Sequence, residues 1–140
     1  MLLLTTASAL VAIASTPIET RVQAVLIWGT DETKPEAKNL KEVDSKLRDR
    51  LANVFKWKNY FEVNRQSTTL PAVAKMQSLK LSEDCSVEVK LLPDGVAEVK
   101  LMGKGKVRVT RLHSLAKPEA LVLAGDDKNK SAWFVVLNFN

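Results

Sequence analysis

Two side chains in this sequence have the chemistry of a nucleophile and its base: Cys85 and His113, the only cysteine and the only histidine. A thiol next to an imidazole makes an activated pair, so their separation decides whether the chain can use them. They flank residues 86–112, a stretch that reads as paired strands. Pro93-Asp94-Gly95 is a turn, with Pro setting φ and Gly taking the left-handed position. Closed on Leu92 and Val96, it puts Val89 opposite Val99, Val87 opposite Leu101 and Leu91 opposite Ala97. On the other face Lys90 meets Glu98 and Glu88 meets Lys100. Apolar pairs on one side and opposite charges on the other agree on a single register, and a slip of one residue would destroy both sets. Gly103-Lys104-Gly105 reads as the next turn, placing Val107 opposite Leu101 and Val109 opposite Val99. Cys85 then lies opposite Gly103 and His113 opposite Gly95. Eight positions at a ~3.4 Å rise separate them by roughly 27 Å. The spacing predicts no dyad, only a small part-buried cysteine and a polar strand end.

Other chemistry is equally sparse. Asp126-Asp127-x-Asn129 lacks the alternating oxygens, the glycine and the closing glutamate of an EF-hand calcium loop, and reads as a solvated hairpin loop. Asp31 and Glu32 are adjacent and point apart. The sequence holds no G-x-S-x-G, no phosphate-cradling glycine loop and no zinc-ligand spacing. No cofactor and no metal is expected. Lys104, Lys106, Arg108 and Arg111 form the densest basic run. In the predicted register Lys106 and Arg108 share the outer face with Lys90 and Lys100, beside Glu88 and Glu98. Lys90, Lys100, Lys106 and Arg108 are therefore the candidate contacts for an anionic partner, weak and salt-sensitive. Lys56, Lys58 and Arg65 surround Trp57, Tyr60 and Phe61, a pattern that can hold single-stranded nucleic acid. It is not specific, and no nucleic acid is expected of an exported protein.

The frame around these residues starts with 140 residues, 46% hydrophobic and 26% charged, with a net charge of +5. That is one domain, and the composition excludes a disordered, collagen-like or polytopic membrane chain. Residues 2–15 are uncharged and largely apolar, too short for the ~20 residues of a membrane span. Residues 1–14 read as a signal peptide ending at Ala12-Ile13-Ala14, with an uncleaved anchor as the alternative. Val22-Gln23-Ala24 is a second cleavage pattern, but a cut there would remove half of a predicted strand. With Cys85 as the sole cysteine, a lipid-modified N-terminal cysteine is excluded.

In the domain 15–140, Arg21 to Trp28 alternates with both faces mostly apolar, which predicts a central strand. Asn39-Leu40-Lys41-Glu42 matches a capping box. Val43, Leu47, Leu51, Val54 and Phe55 then form one face of a helix over about 41–55. Everything after Trp57 reads as strand and turn, with a β-meander at 86–112 and a last strand, 131–139, apolar on both faces. The expected fold is α+β, a mostly antiparallel sheet of six or seven strands with the helix packed on it.

These readings predict an exported, non-catalytic binding or scaffold module of the periplasmic or extracellular envelope. Its partner would be an anionic envelope polymer or another envelope protein. Membrane contact is expected only if the N-terminal segment stays uncleaved. The alternatives are a small carboxylate-dependent hydrolase or transferase using Asp31/Glu32 and Asp126/Asp127, and a structural subunit assembling through an edge strand at 131–139.

Overall fold

The computed structural model describes residues 19–31, 40–71, 75–125 and 131–140. The expected signal peptide at 1–14 and the expected cap Asn39 lie outside them. The described residues form β1 (Thr20–Thr30), β2 (Lys41–Glu42), α1 (Ser45–Val54), β3 (Asn59–Leu70), β4 (Gln77–Lys80), β5 (Cys85–Leu92), β6 (Val96–Gly103), β7 (Lys106–Ser114), β8 (Leu121–Ala124) and β9 (Ser131–Phe139). The class is α+β and antiparallel, as the sequence predicts. Instead of one sheet of six or seven strands there are two sheets, ordered β2-β3-β1-β9-β8 and β4-β5-β6-β7. β4 and β8 fall in the region after Trp57 that reads as strand and turn, whereas β2, at two residues, is too short for an alternating pattern to register.

The apolar faces of β1 and β9 explain the layering. Leu26 pairs with Val135 and Ile27 with Phe134, so the two strands build two buried surfaces back to back. Val22, Ala24, Leu26, Val135 and Leu137 pack against Val87, Val89, Ala97, Val99 and Leu101 of the four-stranded sheet. Val25, Ile27, Phe134 and Val136 pack beneath α1, around Leu51. The result is three layers: helix, five-stranded sheet, four-stranded sheet. Each core side chain removed from water contributes about 1.5–3 kcal/mol before conformational entropy is subtracted. β9 lies between β1 and β8, so the expectation that 131–139 forms an assembly edge is corrected.

The helix starts later than the sequence predicts. Its N-cap is Asp44, whose carboxylate accepts the Leu47 N–H at 2.8 Å. Glu42 does not close a capping box: it sits in β2 opposite Phe61, and the Val43 N–H continues that edge onto the Tyr60 carbonyl at 3.1 Å. Leu51 is buried, with Val43, Leu47 and Phe55 partly buried around it, while Val54 is 70% exposed. The last turn ends where Tyr60 Oη donates to the Phe55 carbonyl (3.1 Å) and accepts the Trp57 N–H (3.3 Å). Burial raises the Tyr60 pKa, the Trp57 N–H partly opposes that, and Asp31 adds to it.

The first hairpin has the predicted register throughout, from Leu92–Val96 to Cys85–Gly103. The second does not. Lys104 (φ 52°) and Gly105 (φ 75°) make a two-residue turn of the type that matches strand twist. A bulge follows: Met102 pairs with Val107 but Leu101 with Val109, leaving Arg108 as the extra residue. Val109 is thus opposite Leu101, not Val99, and His113 is opposite Ala97, not Gly95.

Two substitutions test this packing. A Cβ at Gly29 would come within 2.8 Å of Trp57 Cδ1 and 2.9 Å of Phe134 Cε2. Gly29→Ala should therefore destabilise by ~1–3 kcal/mol in denaturant titrations, the range for overpacking. Asp44→Ala should cost ~1 kcal/mol, as loss of a helix cap does, whereas Glu42→Ala should stay within ~0.5 kcal/mol as an ordinary exposed site. The reverse order would restore the capping box.

Candidate functional site

Between the two sheets, where β5 begins and β6 ends, the sandwich opens into a cleft of about 180 Å³. Leu26, Trp133 and Val135 supply one wall, and Cys85, Leu101 and Met102 the other, with Asp84, Lys104 and Arg108 also lining it. Trp133 is 43% exposed. It stacks on Trp28, its partner across the β1–β9 ladder, with centroids 6.1 Å apart and planes 17° apart. Trp28 in turn leans on Phe61, 6.4 Å away. The exposed indole is thus backed by a row of aromatic rings that fixes its plane.

Arg108, the extra residue of the bulge, lines this cleft. Its side chain lies across Gly103: a Cβ there would sit 3.1 Å from Arg108 Cγ and Nε. Nε donates to the Gly103 carbonyl at 3.2 Å. The missing side chain of Gly103 is what lets the arginine cross the strand end.

This overturns the grouping of the four candidate cations on one face. Lys90 and Lys100 do share the outer face, bordering a shallow hollow with Glu88, Glu98 and Met76, and Lys100 Nζ lies 3.8 Å from Glu98. Arg108 turns to the cleft instead, and Lys106 pairs with Gly103, which puts it on the face of Leu101. Of the four candidates the outer face keeps only Lys90 and Lys100, beside Glu88 and Glu98. The sequence gives no direct sign of this, because Gly-Lys-Gly fits either turn length: the two-residue turn exchanges the faces of Lys106 and Val107, and the bulge at Arg108 restores the predicted facing from Val109 onward.

The remaining candidates do not converge. His113 is 8% exposed and stacks on Phe139 at 5.4 Å. Its partner Ala97 and the Cys85 partner Gly103 are six positions apart on β6, ~20 Å at strand rise. The dyad is absent, though the separation is shorter than the ~27 Å expected. Asp31 is spent on the Lys58 N–H, 3.1 Å away, while Glu32, Asp126, Asp127 and Asn129 lie outside the described residues. Among the described residues no group of three or more His, Cys, Asp or Glu gathers to hold a metal. Tyr60 and Phe61 are core side chains, and Arg65 is engaged by Glu62 and, at 3.0 Å, by Gln23. The predicted aromatic-cation cluster therefore offers no stacking surface from those rings. A wider hollow of about 510 Å³ lies beside α1. Asp44, Lys46, Arg50 and Glu119 line it with signs that cancel, and Arg50 is held by the Ala120 carbonyl at 2.7 Å.

No protein family, curated protein or solved structure matches the chain. Among the described residues no helix is long and apolar enough to cross a membrane.

Burial pushes the Cys85 thiol pKa up, which keeps it protonated and unreactive. Its alkylation rate by iodoacetamide should titrate with a midpoint above about 8.5, the value for an unburied thiol. The folded state disfavours the thiolate, so the same burial should lower stability as pH rises past the unfolded thiol's value. A midpoint at or below that of a free cysteine would contradict the buried setting.

Proposed function

We propose that this protein is an exported, non-catalytic binding module of the cell envelope, and that its working site is the cleft between the two sheets. The observation that carries the reading is the cleft itself, an opening lined by aliphatic side chains and a part-exposed tryptophan. Concave apolar sites with a few polar groups at the mouth are the usual places where small molecules bind. The non-catalytic part draws support from the lining: Asp84 and Cys85 supply no base–nucleophile pair, and burial holds the thiol in its inert form.

For an exported chain, β1 discriminates between the two cleavage patterns. A cut after Ala14 leaves Thr20–Thr30 whole, whereas a cut after Ala24 would remove Val22 and Ala24, both 0% exposed. Intact-mass measurement of the protein recovered from its own host should find Ser15 as the first residue. A chain that retains Met1 would overturn cleavage.

For the site, a neutral apolar probe, benzyl alcohol, is titrated into ¹⁵N-labelled protein. The largest shifts should fall on Cys85, Leu101, Gly103 and the Trp133 indole. Shifts confined to the hollow beside α1, at Arg50 and Asn138, or no saturable shifts at millimolar probe, would overturn this assignment.

A further inference from the structure

Building on the proposed site, we infer that the cleft takes a small monocarboxylate, its apolar body against Trp133 and its carboxylate on Arg108. Size sets the first limit. An apolar cavity of ~150 Å³ takes a benzene ring, so a cleft of about 180 Å³ suits one ring or a chain of about six carbons. It is too small for an acyl lipid or a polymer segment. Trp133 offers a broad apolar face whose orientation is fixed by the Trp28 and Phe61 rings behind it. A rigid aromatic wall costs little conformational entropy on binding.

Charge sets the second limit. The rim carries Lys104 and Arg108 against Asp84, a net single positive charge, which one carboxylate neutralises. A dianion such as phosphate would bring excess negative charge close to Asp84. Geometry sets the third. Arg108 spends Nε on the Gly103 carbonyl, and its terminal amino groups form no other bond among the described residues. A guanidinium anchored through one nitrogen keeps a planar fork of donors for the two oxygens of a carboxylate. The bulge, the glycine and the anchoring carbonyl act on the same side chain, and together they place a carboxylate receptor at the mouth of an apolar cleft.

The test compares two ligands with the same six-carbon chain, hexanoate and hexan-1-ol, by Trp emission and calorimetric titration of the full chain. Hexanoate should bind about tenfold more tightly, the gain expected of a charged hydrogen-bonded pair, and its affinity should fall with added salt. Arg108→Gln should remove the preference and leave hexan-1-ol unchanged, with the melting temperature held because the residue is exposed. Equal affinity for the two ligands in the parent protein overturns the carboxylate assignment even if Arg108→Gln fails to fold, and leaves the cleft as an apolar site. An unaltered preference in Arg108→Gln overturns the role of Arg108. Binding of neither ligand overturns the inference, and if benzyl alcohol also fails, the proposed site falls with it.

Discussion

The structure depends on one constraint: β1 and β9 pair along nine positions and are apolar on both faces. A single sheet with one covering helix would leave one of those faces in water. The chain meets the constraint with two covers, α1 on the Ile27–Phe134 side and the four-stranded sheet on the Leu26–Val135 side. Gly29 shows how tight the first cover is, since Trp57 and Phe134 occupy the space a side chain would need. In this sense the helix and the meander are each a response to the same pair of strands.

The second cover does not extend over all of the first. Where β5 begins and β6 ends, Trp133 stays part-exposed and the sheets diverge into the cleft. Local backbone features decide what stands at its mouth. The two-residue turn at Lys104-Gly105 and the bulge at Arg108 swing one cation off the outer face, where it would face Lys100, into the space between the sheets. The same bulge interrupts β7, an edge strand that also carries Lys106 and Arg111. Bulges and cations are the usual protection of such an edge against pairing with other chains. One irregularity therefore both guards the edge and furnishes the site.

Much of this was legible in the residues, and the losses have physical reasons. The register of β5 on β6 followed from Lys90–Glu98, Glu88–Lys100 and the apolar pairs between them, because the two faces constrain it independently. The central position of β1 and the burial of β9 followed from their two-sided apolarity, whereas the neighbour β8 that takes β9 off the edge did not. Helix content was legible but its start was not: Asp44 and Asn39 are both competent caps, and the choice is made by β2 adding to β3, a tertiary event. The division into two sheets was hidden because strand periodicity does not say which strands share a sheet. The site was the least legible part. Trp133 read simply as strand core, and the direction of Arg108 depends on a turn length and a bulge that counting by twos does not reveal.

The claim that the doubly covered β1–β9 pair holds the rest together is tested most directly by native-state hydrogen exchange. The amides of Val25, Leu26, Val135 and Val136 should exchange only through global unfolding, with the highest protection in the chain. Those near the cleft, at Met102 and Gly103, should open at distinctly lower free energy. If the central amides of β1 and β9 exchange as readily as the cleft end of β6, the two-sided burial is not the element on which the fold rests.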